Sequence, residues 1–365
     1  MSLDQTPLTG TATDEARRQI EICNACRYCE GFCAVFPAMT RQKAFAAGDL
    51  TQLANLCHNC RGCYYACQYT APHEFALNIP AALAEVRVES WERLARPQAM
   101  ARMFQTHGVA MAGLLVVVLA WFFWAMSVWR PEGGSGFYAY LAHGTMVAIF
   151  TPAFLVPLAL IALSLRDYWR EVGGGRVRLS HLQSALHSAA KMKNLSGGHG
   201  EGCNFEEGDR FSDRRRVFHQ VMMYGFLLCF ASTASGTIMH YALGWEAPYP
   251  LLSPPKLLGL PGGVMMVAGT AGLVWLKLRA DRNLGAARVW GGEMAFILLL
   301  GGVAVTGLAL YAATGSALVG PLLAIHLATV MVLFLLMPFS KMVHGFFRLA
   351  ALVAEAGMQR PSGKS

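Results

Sequence analysis

The residues best equipped for chemistry lie near the start of the chain, in two short cysteine runs. One holds Cys23, Cys26, Cys29 and Cys33, the other Cys57, Cys60, Cys63 and Cys67. Both have the spacing C-x2-C-x2-C-x3-C, with an arginine, Arg27 or Arg61, after the second cysteine. Three thiolates two residues apart can wrap one corner of a [4Fe–4S] cubane, each meeting a different iron. In paired-cluster proteins the fourth cysteine of such a run ligates the other cluster. By analogy with two-cluster ferredoxins, one cluster is assigned to Cys23, Cys26, Cys29 and Cys67, the other to Cys57, Cys60, Cys63 and Cys33. The rival reading is two structural zinc sites. Zinc is typically met by two separated C-x2-C pairs and does not call for three thiolates in succession. His58, inside the second run, reads as a neighbour that tunes its cluster rather than a ligand.

Eight of the ten cysteines fall in these runs. The preceding residues, MSLDQTPLTGTATDEARRQI, have neither an apolar core nor a cleavage-site pattern. A secretory signal is therefore not expected, and the head should stay in the reducing cytoplasm, where clustered cysteines serve as metal ligands. The stretch between the runs, AVFPAMTRQKAFAAGDLTQLAN, is alanine-rich and free of β-branched runs, which predicts helix. Residues 1–100 thus form an α-helical ferredoxin head.

Beyond the head, the composition changes. Hydrophobic residues make up 55% of the chain and charged ones only 14%, a balance suited to lipid rather than water. Six uncharged stretches are each near the roughly 20 residues that cross a bilayer. They are Gly108–Trp129, Leu141–Leu165, Val217–Leu243, Leu257–Leu276, Met294–Gly320 and Pro321–Ser340. The last two are divided at the breakers Thr314-Gly315-Ser316 and Gly320-Pro321. Pro152 and Pro157 are expected to interrupt the second. The fold class is all-α: the di-cluster head, then a six-helix transmembrane bundle over residues 101–350 that includes a 166–216 loop, then a tail at 351–365.

The net charge of +8 could suggest nucleic acid, but the basic residues cluster in loops beside apolar segments and no nucleic-acid motif accompanies them. The segment 166–216 carries ten Lys or Arg, and Arg279, Arg282 and Arg288 mark a second basic loop, whereas the intervening loops hold Arg130, Lys256 or none. The positive-inside rule then places both termini and the basic loops in the cytoplasm, with the protein multi-pass in the inner membrane.

Ionisable residues in spans are functional candidates. His107, His219 and His344 fall near the cytoplasmic face of this topology, and His143, His240 and His326 near the other. His326 and His344 are 18 residues apart, five helical turns, or about 27 Å on one face. His219 and His240, 21 apart, lie within roughly 60° of one another. His219, His240, His326 and His344 could therefore clamp one or two b-type haems, with His107 or His143 able to replace one member of either pair. No C-x2-C-H occurs, so covalent haem attachment is not expected. Histidines that merely anchor helix ends or hydrogen-bond a neighbouring helix are the plainer alternative. Glycine- and methionine-rich Gly262–Met266 reads as close helix packing, Cys229 as a small buried residue, and Cys203 as part of a flexible docking loop.

Several stretches carry a resemblance. With the paired runs, Pro72-His73-Glu74-Phe75, the segment Tyr224–Thr233 and the ending Pro338–Gly345, the chain resembles the tricarballylate (or citrate) utilization protein B family from about Ile20 to about Leu352. The resemblance implies a membrane electron-transfer protein that re-oxidises a cytoplasmic FAD-dependent dehydrogenase. Electrons would pass through clusters at the eight cysteines and haem at membrane histidines to the quinone pool, while the individual haem ligands do not transfer from the family. No G-x-G-x-x-G opens a βαβ unit here, so the flavoprotein must be a separate chain. The chain then reads as a subunit of a quinone-linked oxidoreductase rather than a stand-alone enzyme. The alternatives are a membrane redox sensor, a cluster-regulated transporter, or a reductase subunit driven by quinol in the opposite direction.

Overall fold

The computed structural model describes residues 11–33, 35–42, 44–128, 136–245 and 247–359. The head is built from α1 (Ala12–Cys26), α2 (Phe36–Met39), α3 (Ala47–Leu56), α4 (Gly62–Tyr65) and α5 (Ile79–Leu94). Helix α1 opens on a capping box in which the Thr11 hydroxyl accepts from Asp14 N–H and the Asp14 carboxylate accepts from Thr11 N–H, satisfying two donors the helix cannot. Asn78 caps α5 by accepting from Ala81 N–H. Ala16, Ile20, Phe36, Leu50, Leu53 and Leu83, all at most 2% exposed, form the head's interior.

Six long apolar helices follow: α6 (Gln98–Val128), α7 (His143–Glu171), and, after a short α8 (Leu179–Lys191), α9 (Arg214–Leu243), α10 (Pro254–Arg279), α11 (Trp290–Ala312) and α12 (Val319–Leu336). Each is long and apolar enough to cross a membrane, and the protein is a multi-pass membrane protein. Side chains such as Leu114, Val117, Trp121, Leu155, Phe230, Leu257 and Val305 face outward, where lipid makes them inexpensive to expose. Helix α12 is the most enclosed, with 56% of its apolar window buried and Ala328 and Val332 fully covered. It is the bundle's central post.

The expected spans are all present, with two differences at proline and glycine. Pro152 and Pro157 lie inside an unbroken α7, because without competing water a membrane helix re-satisfies the groups that proline frees. The fifth and sixth spans part at a turn over Ala313–Leu318, so Gly320 and Pro321 belong to the first turn of α12 rather than to a break. There the N–H that proline lacks has no intrahelical acceptor anyway. The glycines of α9 and α10 serve close packing: a Cβ on Gly262 would stand 2.9 Å from Gly225 O, and one on Gly269 2.5 Å from Met222 N.

Beyond α12 the chain does not trail away. After a turn over Met337–Met342 it enters α13 (Val343–Met358), which runs beneath the head. Gln52 donates to Ala351 O at 2.8 Å, and Arg41 pairs with Glu355. The head is bolted to the bundle through further buried bonds. Tyr168 donates to Gln52 Oε1 at 2.6 Å, Ser164 to Leu94 O at 2.8 Å, and Arg288 pairs with Glu92 at 2.7 Å. These contacts bring the ends of α6, α7, α9, α10, α11 and α12 nearest residues 98, 171, 214, 279, 290 and 336 to the head side.

Candidate redox centres

The second cysteine run leaves the end of α3 at Cys57 and enters α4, which carries Cys63. Cys60 is flanked by Asn59 and Arg61, both in the left-handed region at φ 53° and 70°. Side chains avoid that conformation, so tertiary bonds must hold it. Arg61 donates to Phe205 O at 3.0 Å and Asp281 O at 2.8 Å, and Asn59 donates to Leu284 O at 2.9 Å. The first run repeats the device once, with Arg27 at φ 55° closing α1.

The sulfurs gather in two groups. A cavity of about 20 Å³ is lined by Cys33, Cys57, Cys60 and Cys63, one cysteine from the first run and three from the second. Cys33 and Cys63 share a sulfur–sulfur hydrogen bond that favours the Cys33 thiolate. Burial, then the nearby Cys203, Cys33 and Cys57, pushes the Cys60 thiol up to about 12. In the other set Cys23 donates to Cys29, holding the Cys29 thiol down at about 7. Burial raises the Cys67 thiol, with Cys29 and Cys26 adding to the shift. All ten cysteines are free thiols. N–H groups of Asn59 and Tyr69 reach the sulfurs of Cys57 and Cys67 at 3.4 Å, and Gln68 reaches Cys26 at 3.7 Å. Such N–H···S bonds stabilise thiolate charge, so the donor chemistry fits iron–sulfur clusters.

The segment holding Cys203, expected to be a flexible docking loop, is instead folded over both runs. Cys203 is 1% exposed and pairs backbone-to-backbone with Ser212, while Asn204 N–H donates to Cys60 O at 2.9 Å. His199 lies edge-on to Phe32 with ring centroids 4.6 Å apart, and a Cβ on Gly198 would overlap Gly31 O at 1.8 Å. Glycine at 198 is what lets the lid close. Its sequence signal was present, in the glycines around Cys203, but their contact with the first run is purely tertiary.

A second, larger cavity of about 250 Å³ opens where the head meets the bundle. His58, Asn59 and Arg61 line it as well as the small cysteine cavity. His219 of α9 and His344 of α13 also line it, with ring centroids 5.9 Å apart and planes at 84°. His344 Nδ1 is bonded to Lys341 O. His219 Nδ1 and the indole N–H of Trp290, both of cavity-lining residues, are buried with no partner. Burial, then the Arg348 guanidinium, holds the His58 pKa well below the usual histidine value.

The remaining histidines are placed differently. His240 stacks on His143, with centroids 4.1 Å apart and planes at 30°. His326 is turned to α11, its Nδ1 3.0 Å from Thr306 Oγ1. His107 is exposed at a kink in α6. The structure therefore brings His219 to His344, and sets His143, not His326, against His240.

The cavity wall also holds a half-buried charged triad that sequence reading missed. Glu293 meets Lys341 at 2.6 Å and also pairs with Lys277. Replacing Glu293 with glutamine leaves two enclosed ammonium groups without their carboxylate. An expected loss of about 1.5–3 kcal/mol follows, readable as a lowered unfolding midpoint in detergent. Changing both lysines to methionine in the same protein should recover most of it.

A cysteine-rich helical head fused to six membrane-spanning helices defines a multi-pass membrane protein with a ferredoxin-like module. The comparisons with known proteins make this particular. The sequence model described as Citrate utilization protein B Fer4-like domain matches residues 16–92, and that described as Citrate utilization protein B matches residues 94–364. The chain is 44% identical over 355 residues to the citrate utilization protein B of Escherichia coli, covering 96% of this chain and 93% of that protein. No solved structure matches. The chain belongs to the citrate utilization protein B family, and its Fer4-like domain supports iron–sulfur clusters.

Proposed function

We propose that the protein carries electrons from a cytoplasmic FAD-dependent dehydrogenase to membrane quinone, through two [4Fe–4S] clusters and one b-type haem. Cys23, Cys26, Cys29 and Cys67 would hold the first cluster, and Cys33, Cys57, Cys60 and Cys63 the second. His219 and His344 would hold the haem. Bound there, clusters and haem supply one-electron chemistry, which lets a two-electron flavin donor discharge in single steps. The head and both termini would face the cytoplasm, a placement the basic 166–216 loop supports. The relative's name speaks of citrate utilization, and the family resemblance implies a tricarballylate dehydrogenase-like flavoprotein as the donor.

One observation carries this reading: His58, Asn59, Arg61 and Asn194 form a shared wall between the four-cysteine cavity and the cavity of His219 and His344. Electrons leaving the second cluster would have only that wall to cross.

The ring geometry supports one haem rather than two. Metal–imidazole bonds are about 2 Å long, and a ring centre lies about 1 Å behind its nitrogen. Ring centres about 6 Å apart therefore leave room for one metal between them. His219 and His344, at 5.9 Å, fit. His143 and His240, stacked at 4.1 Å, do not. The orphaned nitrogens of His219 and Trp290 add unmet bonding capacity in the same cavity.

The test uses purified protein in vesicles, reduced anaerobically with dithionite and then given a short-chain quinone. Rapid quinone-dependent re-oxidation of the cluster and haem absorbance is expected. A protein that stays reduced with quinone present, yet re-oxidises with ferricyanide, would overturn the quinone assignment.

A further inference from the structure

The two cysteine runs have one spacing but very different surroundings. Arg27, after the second cysteine of the first run, is exposed and turned to Asn24 O. Its counterpart Arg61 is 4% exposed and fixed between Phe205 O and Asp281 O. Three more arginines close on the second run from separate parts of the chain. Arg87 of α5 donates to Cys57 O at 2.7 Å, and Arg348 of α13 donates to the same oxygen at 2.7 Å. Arg215 of α9 donates to Asn59 O at 2.7 Å. All four spend N–H groups on main-chain carbonyls in and around the second run, with Arg61 also donating to Asn59 Oδ1, and none of the four pairs with a carboxylate among the described residues. Around the first run, Tyr28 is 71% exposed and Glu21 and Glu30 face solvent.

We propose that Arg61, Arg87, Arg215 and Arg348 hold the Cys33, Cys57, Cys60 and Cys63 cluster at a higher reduction potential than the Cys23, Cys26, Cys29 and Cys67 cluster, so that electrons enter at the second-named set and leave by the first-named. The inference rests on the two-cluster reading above. A four-thiolate cubane is anionic, and each electron it accepts adds negative charge. Potential therefore rises with nearby positive charge and hydrogen bonding. In an enclosed site those charges are poorly screened. Enclosure by itself opposes the extra charge, but here the cations are enclosed with it, and Arg87 and Arg348 meet at the one Cys57 carbonyl oxygen. The step conserves charge: one electron leaves the solvent-side cysteine set, which returns to its oxidised state, and the arginine-ringed set becomes reduced by one. From there the shared wall of His58 leads to the larger cavity. Arg61, Arg87, Arg215 and Arg348 are positioning residues, since none touches a reacting atom.

The experiment is an EPR-monitored redox titration of the full-length protein in detergent. Two cluster potentials are expected, and the higher should belong to the signal that Cys33→Ala removes. Arg87→Gln and Arg348→Gln should each lower that potential by about 59 mV or more, tenfold in the one-electron equilibrium, and leave the other unmoved. Arg87→Lys and Arg348→Lys, which keep the charge, should restore most of the shift. The inference is overturned if Cys33→Ala removes the lower-potential signal, or if the glutamine variants move only a haem potential. Should a glutamine variant lose iron, the order of the two wild-type potentials still decides. Iron near eight per chain with a reversed order sinks this inference alone, whereas iron near zero sinks the two-cluster reading beneath it.

Discussion

Replacing either His219 or His344 with alanine is expected to abolish haem binding while leaving the iron–sulfur complement in place. The two rings lie on different helices and meet across the cavity at 5.9 Å. On the proposed reading, either substitution would remove one of the two side chains that hold the haem. The contrast lies at the other ring pair. His240→Ala and His326→Ala should both retain the haem, because His240 is stacked on His143 and His326 is engaged by Thr306. A pyridine haemochrome assay beside iron analysis on the same four proteins reads both halves of the expectation. Haem lost from the His240 variant and kept in the His219 variant would move the site to the opposite face.

Cys33→Ala and Cys67→Ala should each cost about four of about eight non-haem irons, and the losses should cross between the runs. Cys33 belongs by sequence to the first run, yet it lines the cavity of Cys57, Cys60 and Cys63. Its removal should therefore extinguish the second run's cluster. Cys67 feels Cys29 and Cys26, so its removal should extinguish the first. EPR of each reduced variant identifies the survivor, because Cys26→Ser perturbs only the signal of its own cluster. If Cys33→Ala and Cys26→Ser strike the same signal, each run holds a cluster by itself and the crossing is wrong.

The cysteine chemistry was readable from sequence because it is local. A cubane imposes its ligand spacing on a dozen consecutive residues, and no distant contact is needed to recognise it. The six spans were equally plain, since lipid imposes length and apolarity on each helix separately. Histidine partners were not readable, for a definite reason. The five-turn register between His326 and His344 assumed one continuous helix. Helix α12 ends at Leu336, and the turn over Met337–Met342 resets the phase before α13 begins. The register therefore says nothing about where His344 points. His219 and His240 do share the unbroken α9, but their partners come from α13 and from the start of α7, whose placement is tertiary. The arginine ring is a harder case. Arg87 and Arg348 lie more than 250 residues apart in sequence and meet at one carbonyl oxygen, with no motif to announce either.

The central claim is a relay of two clusters and one haem in a single chain. An anaerobic visible spectrum of the detergent-purified protein, oxidised and then dithionite-reduced, with non-haem iron and haem assayed on the same sample, tests it most directly. About eight non-haem irons per chain, together with about one b-type haem whose reduced band sharpens on adding dithionite, is the predicted result. Clusters without haem would contradict it: His219 and His344 would then be structural, and the path from head to membrane would have no carrier beyond the second cluster.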